Sequence, residues 1–232
     1  MHTFAHQHHE KTGEAQASLT QGWVMNMGWR YDLMVWFLDI FLMRGQLRKL
    51  PQRVADLAQL QAGEAVLDVG CGTGALAMEA CKRVGVTGRV CGIDPGPEQI
   101  GRARSKAEQA CLPIDFQVGV IEQLAFPNSS FDVVLSTLML HHLTDDLKRR
   151  GFAETARVLK PGGRLVIADF NRREVQQGKP EQFGAGTLGL QDMPALLTAA
   201  GFSQLESGKI PFPRMMGVDA GFLTAQRREI IE

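Results

Sequence analysis

The chain has 232 residues, with 25 basic and 25 acidic side chains and therefore no net charge at neutral pH. This length suffices for one sizeable α/β domain, and the charge balance gives no broad electrostatic footprint for nucleic acid or an acidic membrane. The four cysteines lack Cys-x-x-Cys spacing and neighbouring histidines, which argues against a zinc site or a disulfide framework. We therefore expect reduced thiols, no bound metal and, because the first residues lack an apolar signal-peptide core, a cytoplasmic protein.

Residues 1–20 are polar and contain four closely spaced histidines, His2, His6, His8 and His9. No cysteine or carboxylate cluster completes a metal site around them. We predict a flexible polar tail, and the alternative is a lid that orders over a ligand.

Residues 21–62 are predicted to form an N-terminal helical cap. From Gly22 to Arg44 the sequence is apolar and aromatic, but charged residues interrupt it, so it falls short of the ~20 apolar residues that span a membrane. We expect a helix or helix pair buried on one face. The alternative is that the outer face, including Trp36, Phe37, Phe41 and Met43, lines an apolar substrate pocket or contacts a membrane surface.

The helical pattern of the cap is expected to break over residues 45–51, which contain Gly45 and Pro51. After this break, apolar residues at helical spacing predict a second, short amphipathic helix that begins near Val54 and ends before Gly63.

The clearest motif is the stretch VLDVGCGTG at residues 66–74. β-formers, then three alternate glycines, then a helical pattern predict a strand, a tight turn and a helix whose first N–H groups are free to donate. The glycine spacing alone allows a nicotinamide or flavin site, another nucleotide-like cofactor, or a structural turn. Asp68 precedes the first glycine by two residues, where a carboxylate would repel a pyrophosphate and favour a ligand with a positive charge.

Helices and strands alternate after this turn. Strands are predicted over residues 89–94, 114–118, 131–136 and 164–169, and helices over residues 75–84, 95–110 and 145–159. A turn is expected at Pro161-Gly162-Gly163, an irregular crossing over residues 170–188, a last helix over residues 191–200, and two antiparallel strands over residues 202–210 and 218–226. This alternation predicts an α/β fold with a doubly wound, mostly parallel sheet and a site at the carboxyl ends of its strands.

Five motifs in this order, VLDVGCGTG, GIDPG, the loop at 119–126, FDVVLSTLMLHHL and LKPGGRLVIADF, resemble the class I S-adenosylmethionine-dependent methyltransferases. The set is most similar to the family that includes quinone-biosynthesis and related small-molecule methyltransferases. The resemblance covers roughly residues 60–170. It implies a Rossmann-like, seven-stranded sheet with a late antiparallel strand, and a domain over residues 63–232 that binds S-adenosyl-L-methionine and releases S-adenosyl-L-homocysteine.

The resemblance also implies a set of cofactor-binding residues. The methionine part would lie against Asp68, Gly70, Cys71, Gly72, Thr73 and Gly74. The ribose would lie against Asp94, followed by Pro95, and the adenine against Val120, Ile121 and Glu122. Tyr31 and Ser136 would approach the cofactor from the cap and from the fourth strand.

Three of these assignments have alternatives or departures. Asp94 could instead be the N-cap of a helix begun by Pro95. Val120 stands where the family commonly has an acidic residue that meets the adenine amino group. Glu122 could be a solvated loop acid.

His141 and His142 follow the fourth strand and are the candidate general bases, because the pKa of a histidine lies near neutrality. The alternative is that each caps the next helix or fixes the loop by hydrogen bonds. The quinone enzymes carry a different sequence at this place, so the resemblance does not imply a quinone acceptor.

The predicted function is methyl transfer to a small, apolar or amphipathic acceptor. Alternatives are a methyltransferase directed at the nitrogen of a phospholipid or another lipid, which would contact a membrane peripherally, and a non-catalytic regulatory protein that binds the cofactor. Neither nucleic acid nor metal is expected.

Overall fold

The computed structural model describes Thr20, Gly22 and residues 24–171, 187–211 and 219–229. The tail predicted over residues 1–20 lies outside the described residues except for Thr20, and most of the crossing predicted over residues 170–188 also lies outside them.

Two helices form the cap, α1 (Trp29–Phe41) and α2 (Gln46–Leu57). The break predicted over residues 45–51 is misplaced: Arg44 (φ 50°) and Gly45 (φ 80°) have left-handed conformations, but α2 begins at Gln46 and continues through Pro51. The hydrogen bond that caps the N-terminus of α2 comes from a residue of α1. The buried Asp39 in α1 accepts hydrogen bonds from the Leu47 N–H (2.7 Å) and from Arg48 Nε (2.6 Å). A cap supplied from another helix leaves no signal in the local sequence.

The remaining elements alternate as predicted. In chain order they are β1 (Ala65–Val69), α3 (Ala75–Val84), β2 (Arg89–Asp94), α4 (Pro97–Gln109), β3 (Ile114–Val118), β4 (Phe131–Thr137), α5 (Asp145–Val158), β5 (Leu159–Phe170), α6 (Met193–Ala199), β6 (Phe202–Lys209) and β7 (Ala220–Arg227). Short 3-10 turns at Leu140–His142 and Leu190–Asp192 precede α5 and α6.

The seven strands form one sheet in the order β3-β2-β1-β4-β5-β7-β6. The five strands β1 to β5 are parallel, and β7 runs antiparallel to both β5 and β6. This arrangement confirms the predicted fold class. The turn expected at Pro161-Gly162-Gly163 lies inside β5, where the register against β4 jumps between Phe131 and Val133.

The sheet is covered on both faces, which is why its central strands are apolar throughout. Side chains from α5 and α6 form one core cluster and side chains from α2, α3 and α4 form the other. In register, the carboxyl ends of β1, β2 and β4 meet at Val69, Ile93 and Ser136. The loops that follow these strands therefore lie side by side at one edge of the sheet.

Candidate functional site

The glycine-rich turn after β1 has a backbone conformation and a close packing that side chains on its glycines would disturb. Gly70, Gly72 and Gly74 all have positive φ angles, of 72°, 52° and 84°. A Cβ atom on Gly70 would lie 2.3 Å from Met139 Cγ, and one on Gly74 would lie 2.7 Å from Phe116 Cζ. The turn therefore requires glycine for both conformation and space.

Asp68 lies behind this turn and is 1% exposed. No described residue donates a hydrogen bond to its Oδ2 atom. Burial, and to a smaller extent the negative charge of Asp94, raises the pKa of Asp68 to about 7. A buried carboxylate oxygen without a partner is costly, and a bound cationic group would remove that cost. The turn and Asp68 together therefore fit a ligand with a positively charged end.

Asp94 ends β2 and connects two loops of the site. Its Oδ2 atom accepts a hydrogen bond from the Gly72 N–H (3.0 Å), and its Oδ1 atom accepts one from the Gly96 N–H (2.9 Å). Burial raises its pKa to about 6. The predicted helix start at Pro95 is wrong, since α4 begins at Pro97 with Gly96 as its N-cap residue. Asp94 is therefore not the N-cap, and each oxygen keeps a lone pair that can accept from a ligand hydroxyl.

Gln99, in the first turn of α4, is a candidate site residue that the sequence analysis missed. It is 2% exposed, its Oε1 atom accepts no hydrogen bond from the described residues, and a Cβ on Gly96 would lie 3.1 Å from its Cγ. The signal in the sequence is a polar residue on the apolar face of α4, beside the buried Ile100 and Ala103.

The loop after β3 contributes three buried residues. Val120, Ile121 and Glu122 are 5%, 6% and 9% exposed. The Ile121 side chain packs against Gly151 of α5, so its contribution to a ligand site is limited to the backbone. Glu122 is not the solvated loop acid that was considered as an alternative, because its Oε1 atom is buried and receives no hydrogen bond within the described part of the chain.

Helix α1 contacts the glycine-rich turn through Tyr31 and Asp32. The Thr73 hydroxyl donates to Asp32 Oδ1 (2.7 Å), and Asp32 also forms ion pairs with Arg102 (2.6 Å) and Lys106 (3.3 Å) of α4. Tyr31 lies over Gly72, where a Cβ would be 4.0 Å from its Cε1. Burial raises the pKa of Tyr31, and the charges of Asp94 and Asp32 raise it further. The sequence prediction that Tyr31 approaches the cofactor stays a prediction.

The segment before α1 crosses the carboxyl edge of the sheet. A Cβ on Gly22 would lie 3.1 Å from Leu143 Cδ2, near the start of α5. Further along, Asn26 Oδ1 accepts a hydrogen bond from the Glu98 N–H (2.8 Å) in the first turn of α4. The cap therefore extends across the loops after β4 and β2.

The two histidines lie in the 3-10 turn after β4. His141 Nδ1 is 2.7 Å from Asp169 Oδ1, and its ring centroid is 3.9 Å from that of His142 and 5.2 Å from that of Phe170. Asp169 is 3% exposed. Burial raises its pKa, but the charge and hydrogen bond of His141 outweigh burial and the net pKa is lowered. Asp169 is therefore ionised and accepts the Nδ1 proton, so the neutral ring has Nε2 as its acceptor.

His142 has a different environment from His141. Burial and the neighbouring His141 together lower its pKa to about 4, and the charge of Asp169 offsets part of this effect. The alternative that one of these histidines caps the next helix is wrong, because Thr144 is the N-cap of α5 and accepts a hydrogen bond from the Leu147 N–H (3.4 Å).

The strand under this turn ends with two hydroxyl groups. Ser136 is 3% exposed, and no partner for its Oγ atom, or for Thr137 Oγ1, occurs among the described residues. These groups, His141 and the glycine-rich turn follow neighbouring strands at one edge of the sheet. Buried hydroxyls without partners are costly and can donate to or accept from a ligand.

Other kinds of site receive no support within the described residues. Across residues 24–171, 187–211 and 219–229, no group of three or more His, Cys, Asp or Glu side chains is arranged to hold a metal ion. None of the helices described is both long enough and apolar enough to cross a membrane.

Residues 66–163 match the family model whose description is "Methyltransferase domain". The chain is 35% identical over 157 residues to an arsenite methyltransferase from Halobacterium salinarum, which covers 64% of this chain and 40% of that protein. It is 32% identical over 198 residues to the probable methyltransferase ltbC from Aspergillus luteorubrus, which covers 73% of this chain and 67% of the relative. The chain thus spans less than half the length of the first relative and two thirds of the second.

Among solved structures, the [4+2]-cyclase SpnF matches with a TM-score of 0.69 and 23% identity, over 79% of this chain and 82% of SpnF. This likeness concerns the fold alone. The match to the methyltransferase domain runs from β1 into β5, and the relative from Aspergillus luteorubrus is matched along two thirds of its own length. The chain therefore belongs to the class I S-adenosylmethionine-dependent methyltransferases.

Proposed function

We propose that this chain transfers a methyl group from S-adenosylmethionine to a small, apolar or amphipathic acceptor. The observation that carries the proposal is Asp68, a buried carboxylate whose Oδ2 atom has no described partner, behind a turn that only glycine can form. A nicotinamide cofactor would bring a pyrophosphate to this turn, whereas the ammonium and sulfonium of S-adenosylmethionine match a carboxylate.

The residues that would hold the cofactor follow the strand order. The backbone of residues 70–74 and Asp68 bind its methionine part, and Asp94 and Gln99 accept hydrogen bonds from its ribose hydroxyls. Val120 packs on the adenine, and the Ile121 N–H donates to an adenine ring nitrogen. Tyr31 covers the site from the cap. When bound, the cofactor supplies a methyl group that its sulfonium has already made electrophilic.

The side chains at the carboxyl ends of β4 and β5 orient the acceptor, exclude water and, for a hydroxyl acceptor, take its proton. His141 is the base of choice, because Asp169 fixes its Nδ1 proton and leaves Nε2 to accept. His142, with a pKa of about 4, is a weak base that shields His141 from water. Leu143 and Phe170 make the surroundings apolar, which favours an apolar acceptor and keeps water away from the reacting atoms.

The test combines binding with turnover. Calorimetry with S-adenosyl-L-homocysteine should show binding, and a panel of hydroxyl, amine and carbon acceptors should include one that is methylated. Asp94→Ala should weaken the affinity by ~1.5–3 kcal/mol through the loss of charge-assisted hydrogen bonds. Asp115→Ala, which removes an exposed carboxylate from β3, is the matched control and should leave the affinity unchanged.

Each contrary result has its own meaning. An unchanged dissociation constant in Asp94→Ala would show that this carboxylate only connects the two loops. Binding without turnover on the whole panel would favour a regulatory protein that holds the cofactor, and the same fold in the [4+2]-cyclase SpnF is a reason to include that outcome.

A second candidate is methyl transfer to the nitrogen of a phospholipid or another lipid. It is favoured by one observation, the large apolar side chains that α1 exposes, including Trp36 and Phe37, each 48% exposed. Methylation of a lipid amine in vesicles, but of no water-soluble acceptor, would support this candidate over the first. The cytoplasmic location expected from the sequence stays a prediction, which cell fractionation tests.

A further inference from the structure

Helix α1 exposes a continuous apolar surface, which we call the aromatic face. Its members are Trp29 (61% exposed), Leu33 (47%), Trp36 (48%), Phe37 (48%), Ile40 (39%) and Phe41 (71%). At about 100° of rotation per residue, these positions fall within an arc of about 140° around the helix axis. Single exposed apolar residues are normal, but a contiguous patch of this kind marks an interaction site.

The aromatic face belongs to a helix that is held firmly on its other side. Asp39 ties α1 to α2, and Asp32 ties it to Thr73 and α4. On the exposed side the rings contact each other: Trp36 and Phe37 meet edge to face at 5.1 Å, and Phe37 stacks on Phe41 at 5.8 Å. Rotating α1 to bury these rings would expose the two carboxylates and break their contacts, so the rings stay at the surface.

Three basic residues accompany α1, one within it, one just after it and one in α2, although the chain as a whole is neutral. Arg30, Arg44 and Lys49 are exposed, and none of them has an acidic partner among the described residues. The two carboxylates of α1 are already neutralised, Asp32 by Arg102 and Lys106, and Asp39 by Arg48. The Arg30 guanidinium lies 5.8 Å from the Trp29 ring centroid. Tryptophans beside unpaired cations are the composition of helices that lie in a membrane interface.

We propose that α1 binds flat on the surface of an anionic lipid bilayer, with the aromatic face in the headgroup region and the three cations against lipid phosphates. A helix of 13 residues is roughly 20 Å long, too short to cross a bilayer but long enough to lie along it. The tryptophan rings suit this boundary because one edge is apolar and the indole N–H can reach water.

A second copy of the chain is a poorer occupant of the same surface. A symmetric dimer through the aromatic face would place the same patch of each subunit in one interface. Arg30 and its neighbouring cations would then approach the identical cations of the other copy, and the described acidic residues of α1 are not free to compensate them. Anionic phosphates compensate this charge, and like charges do not.

The experiment uses the full chain and vesicles of two compositions, pure phosphatidylcholine and phosphatidylcholine mixed with phosphatidylglycerol. We expect co-sedimentation with the mixed vesicles, a shift of tryptophan emission to shorter wavelength, and weaker binding as salt rises. The paired substitution Trp36→Ser with Phe37→Ser should lower the vesicle affinity by about tenfold or more, because it removes two inserted rings. Arg44→Gln with Lys49→Gln should lower it for the mixed vesicles only.

The control is Val86→Ser, which replaces a fully exposed apolar residue on the turn after α3 and should leave vesicle binding unchanged. Calorimetry with S-adenosyl-L-homocysteine shows that each variant is folded, and it separates this proposal from the proposed activity. The proposal is overturned if the unaltered chain binds neither kind of vesicle, or if the Trp36 and Phe37 substitutions leave binding unchanged. It is also overturned if the unaltered chain does not bind vesicles but forms a concentration-dependent dimer that these substitutions abolish.

Discussion

At the scale of single residues, Asp68 makes cofactor binding dependent on pH. Burial raises its pKa to about 7 in the ligand-free protein, so this carboxyl changes its protonation state near neutral pH. The ammonium of the cofactor, bound as proposed, would stabilise the ionised form and lower the pKa. Binding therefore releases a proton below neutral pH, and the affinity falls as the pH falls.

We expect the affinity for S-adenosyl-L-homocysteine to rise from about pH 6 to about pH 8, by at most about tenfold per pH unit. Calorimetry in two buffers of different ionisation enthalpy measures the proton release directly. Asp68→Asn should weaken binding and flatten the pH dependence. If the affinity of the Asp68→Asn variant rises with pH at the same slope, the released proton comes from another group. The first candidate is then Asp94, because burial raises its pKa to about 6.

The His141–Asp169 pair gives a second prediction at this scale. Asp169→Asn should lower kcat by about a hundredfold with a hydroxyl acceptor, because an amide no longer fixes the tautomer that has Nε2 as acceptor. The affinity for S-adenosyl-L-homocysteine should stay within about twofold. His141→Gln should lower kcat by a similar amount. Full activity in both variants would show that the pair only fixes the loop after β4.

Some site residues could be predicted from the sequence and others could not, for a physical reason. Asp68 lies within the strand before the glycines and Asp94 ends the next strand, each at a fixed distance from the glycines, so local sequence locates both. Gln99 is recognisable only when the buried face of α4 is known. The partner of His141 comes from Asp169, 28 residues along the chain, and no local pattern shows that this carboxylate is buried and not free for substrate.

At the scale of elements, Asp32 connects helix α1 of the cap to the glycine-rich turn. Its carboxylate accepts from Thr73 and pairs with Arg102 and Lys106, so one side chain connects α1, the turn and α4. Burial raises the pKa of Asp32, but its hydrogen bonds to Arg102 and Thr73 outweigh burial and lower it, so the group is ionised at neutral pH. The contact is three-way and only partly exposed, which makes it stronger than an ordinary surface ion pair.

Asp32→Asn should loosen the cap while the fold persists. We expect faster amide exchange in residues 24–32 and an affinity for S-adenosyl-L-homocysteine that is weaker by about 1 kcal/mol, since Tyr31 no longer stays over the turn. The matched control is Asp56→Asn, which removes an exposed ion pair with Arg83 at 2.8 Å. Equal exchange in the two variants would contradict a role for Asp32 in holding the cap.

The boundaries of the cap show where local patterns stop being informative. The sequence predicts helices in the cap, but it misplaces the second one because Gly45 and Pro51 resemble a break. The stabilising contact comes from Asp39, which is 0% exposed and caps α2 from α1. Tertiary contacts of this kind override helix propensity, and a pattern read along one chain segment does not contain them.

At the scale of the whole molecule, the alternation of strands and helices predicted the sheet almost completely. Period and length identify buried parallel strands, and the handedness of βα units then limits how they can be connected. The place of the last strand required more than periodicity. Their spacing predicts that residues 202–210 and 218–226 pair with each other. Only the family resemblance predicts that β7 also pairs with β5.

The inserted strand has a consequence for synthesis of the protein. In chain order, β6 is made before β7, yet β7 lies between β5 and β6. Until Ala220–Arg227 has left the ribosome, the edge of β5 stays open and β6 has no neighbour to pair with, even though every residue proposed to bind the cofactor is already outside. A nascent chain at this stage is exposed to edge-to-edge aggregation, so pausing before residue 220 is expected to increase its capture by chaperones.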